Sequence, residues 1–158
     1  MDTAVLITQL LNGLQLGVLL FLLAAGLTLV FGIMDFVNLA HGSLYMLGAF
    51  ICATLTPLVD SFALAVLLTI PAMVIVGVVV EVLVIRHLYQ RDHLDQVLAT
   101  FGLILVFDTG VQLIWGPEGL TSPLPEILNG QVTLAAGVDF PVYRVLIIAI
   151  GLTVAALL

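Results

Sequence analysis

The residues best able to do chemistry gather in one stretch, "FGIMDFVNLAHGSLYMLGAF", from Phe31 to Phe50. It holds an aspartate, an asparagine, a histidine, a serine and three glycines, in a chain otherwise oily enough for lipid. Suppose a helix starts near Asp35 or Asn38, either of which is a good N-cap. At 3.6 residues per turn, Asp35, Asn38, Gly42, Tyr45, Gly48 and Cys52 then form one stripe, with His41 on its edge. Lipid cannot satisfy such side chains, so the stripe must face protein or a water-filled path. The start of a helix offers unpaired N–H groups and partial positive charge, which suit a carboxylate or carbonyl. Gly42 and Gly48 would let another helix approach closely. A second reading makes Asp35–His41 a hairpin at the cytoplasmic surface, polar because water is there. The residues alone leave both readings open.

The remaining ionisable groups have simpler explanations. No second ligand lies at i+4 from His41, where Tyr45 stands instead, so a His41–Tyr45 pair is expected and a metal is not. Asp108, with Gln112 one turn later on the same face, is costly in an apolar segment. An interhelix hydrogen bond is expected of that pair. Glu81 lies near Arg86, and local pairing suffices for it. Asp92 precedes an apolar helix and Asp95 follows three residues later, which puts both carboxylates at the positive end of the helix dipole. Cys52, the single cysteine, excludes an intrachain disulfide and any cysteine-based zinc cluster. Neither an HExxH phrase nor a Ser/Asp-rich catalytic phrase occurs, so an enzyme is not expected. No cofactor is expected either.

These residues need elements to hold them, and composition says which. The 158 residues are 63% hydrophobic and 8% charged, with a mean hydropathy of +1.34. Soluble domains carry about 25% charged residues, so the chain is expected to be an integral membrane protein. The net charge of -7, with three basic residues against ten acidic, gives no nucleic-acid footprint. Five hydrophobic segments can be marked, roughly Val5–Ile33, Asn38–Leu58, Phe62–Ile85, Leu94–Trp115 and Val142 to the end. Each is near the length that crosses a bilayer. The fold class expected is therefore all-α, a polytopic transmembrane helix bundle of about five spans. Pro71 and Gly77 suggest a kink or a close contact in the third.

Arg86 and Arg91 share one short loop with His87 and His93, and positive short loops favour the cytoplasmic side. The loop Gly116–Pro141 carries Glu118, Glu126 and Asp139 with no basic residue, which suits the outside. Counting back three spans places the N-terminus outside. Arg144 runs against this weakly, but at a span edge a long side chain can snorkel. Within the outer loop, "LNGQVTLAAGVDFP" reads either as a small β-hairpin or as an irregular Pro/Gly loop. The N-terminus lacks the basic region of a secretory signal. The last apolar stretch stops without a polar anchor, so a piece of a longer chain is expected.

The phrases "GLTLVFGIMDFVNLAHGSLYMLGAF", "LYQRDHLDQVLATFGLILVF" and "LIWGP" carry a resemblance. They are similar to the LivH-type permease of branched-chain amino acid ABC transporters, with "VNLAHG" and "LATFGL" the more specific parts. The resemblance covers essentially residues 1–158, as the N-terminal half of such a permease domain. It implies a multi-pass subunit of the bacterial inner membrane that forms part of the path for branched-chain or related amino acids. The partners it implies are a second permease subunit, two cytoplasmic ATPase subunits and a periplasmic substrate-binding protein. It also implies that "NLAHG" lies at a helix break near the pathway, with Asp35, Asn38, His41, Gly42 and Tyr45 as path candidates. The chain has no P-loop, and the family's ATPase-coupling helix has no counterpart in these residues. The competing expectation is an ion-coupled carrier or channel using Asp35, His41 and Asp108 as a relay, although the sequence spreads these groups over different spans.

Overall fold

The computed structural model describes residues 3–120, 128–134 and 138–157. Among the described residues are five α-helices and one antiparallel strand pair. They are α1 (Thr3–Met34), α2 (His41–Val59), α3 (Phe62–Leu83), α4 (His93–Trp115) and α5 (Val142–Leu157). Strands β1 (Gln131–Leu134) and β2 (Val138–Pro141) lie between α4 and α5. The first four helices are long and apolar enough to cross a membrane, while α5 is 16 residues long. Their apolar side chains are spread round the whole circumference rather than along one stripe, which is the signature of a helix surrounded by lipid or protein. The architecture is that of a polytopic helical membrane protein.

The chain divides into two compact units, residues 27–123 and residues 1–26 with 124–158. In the first, Asp35 ends α1. Its backbone is left-handed, with φ of 49°, and its N–H donates to the Phe31 carbonyl at 2.8 Å. Aspartate is one of the few non-glycine residues that enter this region readily. Asp60 ends α2 in the same conformation, also at φ 49°. Ser61 then caps α3, its hydroxyl accepting from the Leu64 N–H at 3.4 Å. Together Asp60 and Ser61 turn the chain back on itself. Gly48 lies against α3, where a Cβ would stand 3.5 Å from Met73 Cγ. The 3₁₀ turn Ile85–His87 and the residues to Asp92 lead into α4.

In the second unit, β1 and β2 pair antiparallel with Val132 opposite Phe140 and Thr133 opposite Asp139. The Thr133 hydroxyl donates to the Asp139 carboxylate at 2.7 Å. The hairpin reading of this loop therefore holds; its turn, residues 135–137, and the 121–127 segment with Glu126 lie outside the described residues. Gly151 of α5 faces Val18 and Leu22 of α1 so closely that a Cβ there would run into the Val18 Cγ1 methyl. Arg144 does not simply snorkel. It donates to the Asn12 side-chain oxygen on α1 and, through Nε, to the Tyr143 hydroxyl at 2.9 Å. Its guanidinium also lies 5.9 Å from the Phe140 ring centre.

Candidate functional site

The polar stretch is a break between two helices, and α2 starts later than either expected cap. The N-cap is Ala40, which has no side-chain oxygen to offer. Asp35 belongs to the end of α1. Asn38 instead closes a turn on itself, its Oδ1 accepting from the Ala40 N–H at 3.0 Å. Short amides favour this bond because they compete with helix for the local backbone. The single stripe is therefore divided. Phe36, Asn38 and Ala40 alternate inward and are buried, Asp35 and Leu39 are exposed, and Gly42 and Tyr45 face outward from α2. His41 is half-buried and makes no hydrogen bond to Tyr45 among the described residues, so that expected pair is not formed. A Cβ at Gly42 would meet nothing within 4 Å, so the close approach expected there is not made within this chain.

Gln96, in the first turn of α4, is what holds the break. It is only 3% exposed. Its Oε1 accepts from the Val37 N–H at 3.2 Å, while Nε2 donates to the Leu88 and Arg91 carbonyls at 3.3 and 3.2 Å. One backbone donor and two backbone acceptors fix which way the amide points. His93 Nδ1, 3.4 Å from that same Oε1, must then be the donor of its pair. Phe36, 1% exposed, stands edge-on to Tyr89 with ring centres 5.7 Å apart. Tyr89 in turn donates to Glu81 at 2.7 Å, so Glu81 is held by Tyr89 rather than by Arg86. Burial, then the hydrogen bond to Glu81, then its charge push the Tyr89 phenol up to about 12. A polar cavity of about 300 Å³ opens here, lined by Asp35, Tyr89, Arg91, Asp92, His93 and Gln96 among others. Asp92 is the N-cap of α4 as expected, but its carboxylate makes no capping bond.

Two hydrogen bonds give the depth of the break. Val37 pairs with Gln96, and Thr54 accepts from the Trp115 indole at 2.7 Å, separations of 59 and 61 positions. Counting along both helices from the two pairs puts the start of α2, His41, level with the Thr100–Gly102 turn of α4. That is about two turns, or roughly 10 Å, beyond the start of α4. Thr100 is 0% exposed there, its hydroxyl donating to the Gln96 carbonyl at 2.7 Å. The break thus runs along α4 within the unit rather than over its end. Beside it, two polar groups are more than nine-tenths buried and have no partner among the described residues. They are the Asn38 amide nitrogen and the Ser43 hydroxyl.

Other expected contacts fall out differently. Asp108 is half-buried and Gln112 exposed, and neither side chain makes a hydrogen bond among the described residues. The polar link near that end of α4 is Trp115 to Thr54, with the Phe50 ring tilted against the indole, centres 5.4 Å apart. Asp35, His41 and Asp108 are not joined by hydrogen bonds, and no group of metal-ligating side chains forms among the described residues. Cys52 lines an apolar groove of about 560 Å³ with Val66, Thr69 and Met73. Sequence reasoning missed Gln96, Thr100 and Asn12. Gln96 and Thr100 did leave a signal, a polar pair at i, i+4 near the start of a largely apolar helix.

Residues 9–158 match the family described as the permease component of branched-chain amino acid transport systems. The chain belongs to this permease family. Among its relatives is the high-affinity branched-chain amino acid transport system permease protein BraD of Pseudomonas aeruginosa. It is 33% identical over 132 residues, covering 78% of this chain and 42% of the relative. The LivH permease proteins of Salmonella typhimurium and Escherichia coli are 28% and 27% identical over 141 residues, covering 84% of this chain and 45% of each relative. The chain therefore spans less than half the length of these permeases. No solved structure shows a significant match. Gln96 and the 35–40 break both fall inside the matched region of the permease family.

Proposed function

We propose that this chain is the N-terminal part of a permease subunit of an ABC importer in the bacterial inner membrane, with the break between α1 and α2 lining the route of branched-chain or related amino acids. The observation that carries the second part is the pair of buried, unpartnered polar groups beside the non-helical backbone that runs along the first two turns of α4. Non-helical backbone at such depth is tolerated only where it meets protein or lines a water-filled cavity. Asn38 and Ser43 supply donors there, and the α2 start supplies free N–H groups to a passing carboxylate. His41, Gly42 and Tyr45 form the adjoining wall, and Asp35 stands at its cytoplasmic mouth. Asp108 and Gln112 are left for contact with residues outside this chain. Transport rests on a second permease, two ATPase subunits and a binding protein.

The test uses the full-length permease assembled with these partners. Gly42→Leu should abolish uptake while insertion and assembly persist, because the added bulk meets nothing inside the chain itself. Asn38→Ala should weaken uptake and cost about 1 kcal/mol of stability through its lost turn bond. Normal uptake by both variants would leave the break as a structural turn only.

Orientation follows the basic loop: residues 86–93 inside, residues 116–141 outside. Single cysteines at Gln90 and Glu118, in a chain lacking Cys52, should react from opposite membrane faces. Reaction of both from one face would reverse the assignment.

A further inference from the structure

We infer that Gln96 is a positioning residue that ties the 88–93 loop to the 35–40 break, so that the two move as one body. The inference rests on the transport reading above and adds to it the part that carries movement between surface and path. Among the described residues, one side chain makes the polar links between these segments. Its amide oxygen holds the Val37 N–H, and its nitrogen holds the carbonyls of Leu88 and Arg91. His93 adds a fourth bond to the same oxygen. Gln96 itself is only 3% exposed, at the edge of the polar cavity described above, so little of its amide is open to a solvent molecule that could replace a lost bond.

The loop side carries Arg86, Arg91, His87 and His93, and is the part of this unit placed on the cytoplasmic side. The break side carries Asn38 and the start of α2. A displacement of the loop by more than a hydrogen-bond length must either drag Val37 with it or strand the buried Gln96 amide without its part-buried backbone partners. Stranding it costs more than the bonds themselves contribute, which makes following the easier course. The Phe36–Tyr89 ring contact runs between the same two segments and resists their sliding apart. Gln96 is therefore the point at which motion on the cytosolic side reaches the path.

The experiment uses the full-length permease with its ATPase subunits and binding protein in proteoliposomes. Single cysteines at Leu39 and at Gln90, each in a Cys52→Ala background, report by their rate of reaction with a charged maleimide. In the otherwise wild-type complex both rates should change together, several-fold, between the nucleotide-free and ATP-bound states. Gln96→Met keeps the volume without the bonds, and Gln96→Asn keeps the amide but is too short to reach both segments. In either variant the rate at position 90 should still respond while that at position 39 stops responding. Uptake per ATP hydrolysed should fall at least tenfold. A position-39 response and an uptake ratio unchanged in the variants, per assembled complex, would overturn the inference, even if the amount of complex drops. Should neither variant assemble, the wild-type arm decides: a position-39 rate that ignores nucleotide while position 90 responds overturns it, and joint change supports it. Absence of any uptake by the wild-type complex would instead count against the transport reading.

Discussion

Gly151→Ala should loosen the contact between α5 and α1, and Gly151→Leu should abolish it. A single added Cβ would collide with the Val18 Cγ1 methyl and stand 3.3 Å from Val18 Cβ. Val18 cannot swing aside cheaply, because a β-branched side chain on a helix has one strongly preferred rotamer. Glycine at such a crossing lets two membrane helices pack by direct contact, which is the main attraction left to them in lipid. Overpacking of this kind costs about 1–3 kcal/mol, and leucine exceeds alanine. Thermal unfolding of the full-length protein in detergent measures the loss. Val18→Ala combined with Gly151→Ala should recover most of it, since the smaller partner makes room. A Gly151→Ala protein as stable as wild type, or no recovery in the double variant, would show that the helices are not in contact there.

The second large effect is expected at Phe36. Its ring is almost wholly buried, and Phe36→Ala should cost about 3 kcal/mol by emptying that site. The same change should reach Tyr89. The Tyr89 phenol is pushed up to about 12 first by desolvation, and although the residue is exposed, the Phe36 ring covers part of it. Removing that cover should move the titration part of the way down toward the ordinary phenol value near 10, the Glu81 contribution remaining. The sign follows from linkage. Because the folded value is raised, the stability gained from protonated Tyr89 on Glu81 is complete below about 10. It is lost as pH rises through about 12. Ultraviolet tyrosinate titration, with Tyr89→Phe to assign the step, follows both. An unchanged step together with unchanged stability would remove Phe36 from this role.

How far the sequence foretold all this depends on what each residue answers to. The five segments were legible because lipid imposes one requirement on every residue of a span, so apolar runs mark them within a few positions. The hairpin was half legible, since Asn129-Gly130 and the two short runs fit a strand pair and also a loop. The start of α2 was misplaced because Asp35 and Asn38 are good caps by type. What they do depends on backbone: a left-handed φ at Asp35, a turn bond at Asn38. Glu81 was matched to Arg86 by proximity in sequence, but the 3₁₀ turn brings Tyr89 to it instead. Gln96 was passed over because an amide in a first helical turn has many uses. Only the fold brings the Val37 N–H and two loop carbonyls round it.

The near-constant offset between α2 and α4 restricts how this chain can change in length. Val37 to Thr54 and Gln96 to Trp115 are two stretches fastened together at both ends. Deleting one residue between Val37 and Thr54 would turn Thr54 by about 100° round its helix, away from the indole. An insertion in α4 would do the same to Trp115. Point substitutions on the outward faces disturb neither fastening, whereas an insertion or deletion in one stretch has no local remedy. Change in this part of the chain is thereby expected as exchange of side chains at fixed length.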